Sequence, residues 1–323
     1  MFPQRENKTN IDYYEKTGRE LFNEGNPVNF VAIKKEMAER SLSGLKGSRC
    51  EDIHKGDMGK VLLFAGSEGM CGAAIIAAKA AFRCGSGLVQ IAVGRELFPI
   101  IQVGIPEATC LDMNLISDGD KSKEFSFKNY DAACIGPGIG KGVSAECALK
   151  KMIHEFKSPL IIDADGLNLL ASCNLFEAVK NRSSVGLETV ILPHEGEAKR
   201  LLLAGGISEN SINKMTRKQT VEMLFELTGA VSVLKGYGTL VYDGTEIYIN
   251  DTGNRGMATA GSGDCLSGVV LSLIGQGMSA KEAALCGVFL HGTAGDIAAA
   301  RLGFRSVMAS DIVDSLSMAL KNF

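Results

Sequence analysis

The sequence predicts an α/β protein built on a mostly parallel sheet with helices covering both faces. Three observations carry this. Short continuous apolar runs alternate with longer segments of helical character, and strands that are apolar throughout belong to a sheet buried on both sides. The runs end in glycine, Asp, His or Lys motifs, the usual content of loops between strand and helix. The chain has 323 residues with 46% hydrophobic content, enough for one large core.

The elements follow in order. Residues 1–50 are charged and poor in glycine, and are read as an N-terminal extension ahead of a catalytic domain over 51–323. Within the extension, Phe30, Val31, Ile33, Met37 and Leu42 oppose Lys34, Lys35, Glu36, Glu39 and Arg40, which predicts an amphipathic helix over 30–42. The Ser/Gly-containing stretch 43–48 reads as a linker. Residues 61–64 form the first strand, followed by a glycine-rich turn and a small-residue helix over 73–83. Strands follow at 88–93 and 131–135, the second ending in Gly136-Pro137-Gly138-Ile139-Gly140 and leading to a helix over 143–156. Strand 160–163 ends in Asp163-Ala164-Asp165-Gly166, and strand 189–192 in Pro193-His194-Glu195-Gly196-Glu197. Strand 231–234 ends in Lys235-Gly236-Tyr237-Gly238-Thr239. Residues 239–242 and 246–249, joined at Asp243-Gly244, read as a β-hairpin. Three helices close the chain, starting at Gly263, at Ser279 with Glu282 completing a capping box, and at Ser310.

Bulk properties exclude several classes. A net charge of −3 draws the chain neither to nucleic acid nor to anionic lipid. No window of roughly 18 or more apolar residues predicts a membrane helix, and the polar residues 1–10 lack the apolar core of a signal peptide. The nine cysteines are scattered and never spaced C-x-x-C, which predicts reduced thiols in a cytoplasmic protein. The four histidines do not cluster with them, so no zinc site is expected.

The chemistry-bearing residues gather after strands, and ligands of open parallel sheets bind outside the carboxyl ends of strands. In Gly256-Met257-Ala258-Thr259-Ala260-Gly261-Ser262-Gly263-Asp264, the small residues Ala260, Gly261, Ser262 and Gly263 let backbone N–H groups crowd into an anion cradle at a helix start. Asp264 is then either a base that deprotonates a hydroxyl about to be phosphorylated, or the cap of that helix. The glycines at 66, 69 and 72 depart from G-x-G-x-x-G, leaving a close backbone approach to substrate or a tight turn. Gly136 to Lys141 fails the P-loop pattern and reads as a ligand contact or a plain turn. Asp163 and Asp165 fit a metal or water network, or a turn and cap. His194, at a strand exit after Pro193, reads as a ligand contact or a structural histidine, and Glu197 as a Mg²⁺ partner through water or a first-turn acid. Lys235 to Thr239 offer nucleotide contacts or a hairpin turn. His291, in a helical run broken by Gly287, Gly292 and Gly295, reads as buried or at a subunit contact; Asp296 belongs to the site or is solvated.

Taken together and in this order, with His54-Lys55-Gly56 and Gly69-Met70…Gly72-Ala73-Ala74, these motifs resemble the ADP-dependent (S)-NAD(P)H-hydrate dehydratases over roughly residues 50–323. The resemblance implies a ribokinase-like three-layer α/β/α sandwich and a lyase of nicotinamide-nucleotide repair. Such an enzyme phosphorylates the hydroxyl of NADH hydrate or NADPH hydrate from ADP (ATP in eukaryotic relatives). The phosphate then departs, pushed by the ring nitrogen, leaving NAD(P)H, AMP and phosphate. By position, the resemblance implies that Asp264 meets the substrate hydroxyl and that Ala73, Gly138 and His194 contact the hydrate. It assigns Lys235, Gly236, Tyr237, Gly238, Thr239 and Gly263 to ADP or AMP, and Glu197 and Asp163 to Mg²⁺ through water. It further implies a homo-oligomer, a tetramer above others. Since only residues 1–50 precede the domain, the epimerase fused to many bacterial relatives is expected to be absent and separately encoded. Arg255 stands where relatives often carry Pro, and could touch phosphate or point to solvent. The alternative is a small-molecule kinase of the same fold, acting on a vitamin precursor or sugar. His194 argues against it, since such kinases tend to carry Asn after the corresponding Pro.

Overall fold

The structure, a computed structural model, describes residues 30–47, 54–117 and 125–321. Among these residues, ten strands form one sheet. In chain order they are β1 (Val31–Ala32), β2 (Lys60–Phe64), β3 (Leu88–Val93), β4 (Thr109–Asp112), β5 (Ala132–Ile135), β6 (Leu160–Ile162), β7 (Thr189–Ile191), β8 (Val231–Leu234), β9 (Leu240–Tyr242) and β10 (Ile247–Ile249). Across the sheet the order is β1-β10-β9-β8-β7-β6-β5-β2-β3-β4. The strands from β8 to β4 are parallel, and β9 runs antiparallel to both neighbours, completing the predicted hairpin.

Side chains on a strand alternate between faces. In β2, Val61 and Leu63 enter one core while Leu62 and Phe64 enter the other, all four fully buried. That is why the run is apolar without a break. Ten longer helices fill the two outer layers. The first layer holds α1 (Lys35–Gly47), α2 (Cys71–Arg83), α8 (Ser262–Gly275), α9 (Ala280–Leu302) and α10 (Ala309–Lys321). The second holds α3 (Val143–Glu155), α4 (Asp165–Ser172), α5 (Phe176–Ser184), α6 (Glu195–Ala204) and α7 (Arg217–Thr228). This is the expected three-layer α/β/α sandwich.

Two helix contacts position the site. α8 presses against α2 so closely that a Cβ on Gly268 would lie 2.0 Å from the Ala77 carbonyl oxygen. Small residues on both helices permit that approach. α9 begins with the predicted Ser279–Glu282 capping box. It is long and apolar enough to cross a membrane, yet 78% of its most apolar window is buried inside the fold, as a core helix requires.

Residues 30–47 correct the local reading. The amphipathic pattern is real, with Ile33, Ala38 and Leu42 buried, but its first residues form β1, paired parallel with β10. The helix starts at Lys35 and continues through the expected linker to Gly47.

After the edge strand β1 the chain crosses to β2, winds outward to β3 and β4, then returns to the other side of β2 as β5. The winding direction therefore reverses between β2 and β5. Crevices at such switch points are where doubly wound sheets bind ligands.

Candidate active site

Two glycine loops meet at the switch point. After β2, Gly66 N donates to Pro137 O at 2.9 Å, and Ser67 Oγ donates to Gly138 O at 2.8 Å. Gly138 has φ +59, and a Cβ added to it would stand 2.9 Å from the Ala73 Cβ. Ala73 and Gly138, far apart in sequence, thus pack directly against each other, an approach that the missing side chain at 138 permits. Behind them, Asp165 Oδ2 accepts from Gly140 N at 3.0 Å, which ties this loop to α4.

A second set forms where β7 and β8 end. The two strands are extended by a parallel bridge between His194 and Lys235, with Lys235 N donating to Pro193 O at 2.8 Å. This register points Lys235 at the end of β6. Its Nζ lies 2.7 Å from Asp163 Oδ1 and 3.8 Å from Glu197 Oε2. Asp163 is 1% exposed and also accepts from Ala164 N at 2.7 Å and Ser267 Oγ at 2.5 Å. Burial favours the neutral amine of Lys235, but the neighbouring Asp163 and Glu197 carboxylates outweigh it and hold the ammonium above its ordinary pKa. Ala164 takes φ 48 and ψ −118, a conformation L residues avoid. The bend turns the chain sharply from β6 into α4 while keeping the Ala164 N–H on the Asp163 carboxylate.

His194 caps α6. Its Nδ1 accepts from Gly196 N at 3.0 Å and Glu197 N at 3.3 Å, and Glu197 Oε2 accepts from His194 N at 2.8 Å. A neutral His194 therefore carries its proton on Nε2, which lies 3.3 Å from Glu197 Oε1. With 53% of the side chain exposed, one edge of the ring stays accessible. His194 and Glu197 are thus both cap residues, and both sit beside Lys235.

The third part is the start of α8. Gly261, at φ +87, turns the chain into the helix, so the first-turn amides of Gly263 and Asp264 have no acceptor within the helix. A Cβ on Gly263 would lie 3.4 Å from Lys235 Nζ, so the ammonium and the positive end of α8 share one location. Asp264 stands in that first turn. Burial first, then the charges of Asp163, Glu197 and Asp165, push its carboxyl up to about 6 against the opposing pull of Lys235. A carboxylate of that basicity beside an anion site suits general-base chemistry near neutral pH.

The supporting residues are placed as follows. His291 is buried within the chain, with Nε2 3.4 Å from Ser262 Oγ, and burial pulls it down to about 4. Asp296 accepts from Gly253 N and Asn254 Nδ2, each at 2.9 Å, and so anchors the loop before α8. Arg255 lies over the Phe304 ring, 4.9 Å from its centroid. Tyr237 is 63% exposed, and Thr239 Oγ1 donates to Gly236 O at 3.0 Å.

Two residues escaped the sequence reading. Arg217, at the start of α7, donates to the carbonyls of Leu234, Tyr237 and Gly238 and pairs with Glu195 at 3.3 Å, fastening the 234–238 loop. No local motif marks it. Ser267 holds Asp163, and its only signal is its place one turn after Asp264. Among the described residues, no group of three or more His, Cys, Asp or Glu side chains could hold a metal directly. A hollow of about 720 Å³ lies at the opposite, amino end of the sheet. Asp57, Asp131, Glu188 and Glu282 line it, and their like charge would repel phosphate.

Comparison with known proteins bears on the same chemistry. A family described as NAD(P)H-hydrate dehydratase matches residues 61–317. The bifunctional NAD(P)H-hydrate repair enzyme Nnr of Coxiella burnetii is 40% identical over 269 residues, 83% of this chain and 51% of that protein. The chain thus spans about half the length of the first such relatives, 51% for Coxiella burnetii and 50% for Moorella thermoacetica. The ADP-dependent (S)-NAD(P)H-hydrate dehydratase of Neisseria meningitidis is 34% identical over 85% of this chain and 89% of its own. A Bacillus subtilis ADP/ATP-dependent NAD(P)H-hydrate dehydratase, co-crystallised with ATP and Mg²⁺, superposes with a TM-score of 0.74 at 27% identity, covering 92% of this chain and 99% of that one. A hydroxyethylthiazole kinase from Pyrococcus horikoshii, at 15% identity and a TM-score of 0.60, shares the ribokinase-like fold alone.

Proposed function

The chain belongs to the NAD(P)H-hydrate dehydratase family, and from that premise we propose that it converts (S)-NADH hydrate or (S)-NADPH hydrate to NAD(P)H at the expense of ADP, releasing AMP and phosphate. The observation that carries this reading is the meeting of Asp264, the Lys235 ammonium and the α8 N-terminus at one point. The relatives named as repair enzymes, at 30–40% identity, favour dehydration over the small-molecule kinase alternative.

The chemistry follows from the residues. The hydrate lies against Ala73 and Gly138 and the open edge of His194. ADP lies along residues 235–239, fastened from behind by Arg217, with Gly263 beneath it. Asp264 takes the proton of the hydrate hydroxyl as that oxygen attacks the β-phosphorus. Ser262 N donates to Thr259 O, which narrows the expected 260–263 cradle to the amides of Gly263 and Asp264; with Lys235 these hold the transferring phosphoryl group, whose developing charge they meet without rearrangement. AMP departs. The phosphorylated oxygen then leaves its carbon as the ring nitrogen supplies an electron pair, and proton loss from the neighbouring carbon restores the reduced ring.

Mg²⁺, where bound, would neutralise phosphate charge. Glu197 would hold it through water, beside the phosphates of the nucleotide. Asp163 already accepts from Lys235, Ala164 and Ser267, so it contributes by holding Lys235. The ATP/Mg²⁺ co-crystal of the Bacillus subtilis enzyme supports a nucleotide–Mg²⁺ complex here, with ATP an alternative donor. A cytoplasmic, tetrameric enzyme working alongside an NAD(P)H-hydrate epimerase activity completes the proposal. The free cysteines among the described residues and the existence of bifunctional repair relatives support the first and last of these.

The test is to incubate the chain with NADH hydrate, ADP and Mg²⁺ and to follow reduced-nicotinamide absorbance. Absorbance should return. No recovery with either ADP or ATP would remove this reading.

A further inference from the structure

The glycines around His291 have no use within the helix, where each weakens α9. The structure gives them one. A Cβ on Gly292 would stand 2.1 Å from Thr252 Oγ1, and one on Gly295 would stand 2.2 Å from the Met257 sulfur. The glycines therefore let α9 press against the 252–257 loop that leads into the phosphate cradle. That approach delivers His291, only 9% exposed, to Ser262, 8% exposed, at the first residue of α8.

A buried imidazole needs a polar partner, and Ser262 Oγ is 3.4 Å from its Nε2. Burial keeps His291 neutral; a hydrogen bond to the Ser262 backbone opposes that effect and the Lys235 ammonium adds to it, so the ring carries a single N–H, directed at Ser262. A serine hydroxyl has one proton and two lone pairs. If imidazole N–H fills one lone pair, the hydroxyl proton must point elsewhere, and the cradle is the adjacent site where an anion would be held.

Resting on the reading that the cradle takes the β-phosphate of ADP, we propose that His291 is a positioning residue: its Nε2–H donates to Ser262 Oγ and turns the Ser262 hydroxyl proton onto the bound β-phosphate. The cradle then offers a side-chain donor in addition to its backbone amides and Lys235. The opposite tautomer would draw the hydroxyl proton away from the phosphate, so the two arrangements differ in what Ser262 does for ADP.

The test compares ADP with AMP, which lacks the β-phosphate. Affinities of both nucleotides with Mg²⁺ are measured by calorimetry on the full chain, its Ser262→Ala, His291→Leu and His291→Gln variants, and the Ser262→Ala/His291→Leu double variant. Loss of one hydrogen bond to a charged group weakens binding roughly tenfold or more. Ser262→Ala and His291→Leu should each weaken ADP by that factor and leave AMP within about twofold. His291→Gln, which can still donate to Ser262, should recover most of the ADP affinity. The double variant should bind ADP no worse than Ser262→Ala alone. Unchanged ADP affinity in Ser262→Ala, equal weakening of ADP and AMP, or additive losses in the double variant would overturn the proposal. If His291→Leu fails to fold, Ser262→Ala and His291→Gln decide by the same criteria. A parent protein that binds neither nucleotide would remove the functional reading itself, an outcome distinct from all of these.

Discussion

Asp264→Asn is expected to abolish most turnover and, at neutral pH, to stabilise the fold. The Asp264 carboxyl is raised from 3.8 to about 6, chiefly by burial and then by the negative charge of Asp163. The folded state therefore binds the proton more tightly than the unfolded chain. Stability from this group is complete below pH 3.8 and is lost as pH rises through about 6. A shift of roughly two units corresponds to about 3 kcal/mol, an upper figure because the site opens to water. Asn carries no charge and escapes the loss. The stability difference between variant and parent should grow from near zero at about pH 4 towards that figure by about pH 7.5. Urea unfolding across this range measures it. The same shift predicts an acidic limb in the parent's kcat/KM, rising with pH through about 6. Turnover of the variant on NADH hydrate with ADP should fall by roughly 10²–10⁴, the usual contribution of a positioned base. Full activity, or an Asn variant less stable than the parent at pH 7.5, would refute the reasoning.

Three further substitutions separate the site from the fold that carries it. Lys235→Met leaves the Asp163 carboxylate, 1% exposed, without its cation. It should cost about 3–5 kcal/mol in denaturant unfolding and weaken ADP binding together. His194→Asn keeps a good N-cap, so stability should change by only a few tenths of a kcal/mol while KM for the hydrate rises in steady-state assays. Arg182, 3% exposed, donates to the carbonyls of Ile153, Phe156 and Ser158 where α3 ends and β6 approaches. Arg182→Met strands those acceptors and should cost about 3 kcal/mol or more by thermal or urea unfolding, with KM for ADP unchanged.

Local signals made much of this molecule readable. Continuous apolar runs marked the interior strands because both faces are buried, and Ser279 with Glu282 marked the α9 start because a capping box is written within four residues. β4 escaped because it lies at the sheet edge, only partly buried, and carries no unbroken apolar run. Residues 31–32 were absorbed into a helical pattern because two residues of strand have no period of their own. The site divided in the same way. Asp264, Lys235 and His194 stand in glycine-bearing motifs, so their special backbone geometry shows in the residues around them. Arg217, Ser267 and the His291–Ser262 contact do not. They depend on which strands and helices become neighbours: α8 against the end of β6 for Ser267, β7 beside β8 for Arg217, and α9 against the 252–257 loop for His291.

The claim at the centre is that phosphorylation of the hydroxyl serves to expel it. The most direct measurement is product stoichiometry, with AMP, inorganic phosphate and reduced nicotinamide quantified from the same reaction of NADH hydrate with ADP. The account predicts equal amounts of all three and no accumulated phosphorylated hydrate. AMP formed together with a stable phosphorylated hydrate, without free phosphate or recovered NADH, would contradict it and mark the chain as a kinase.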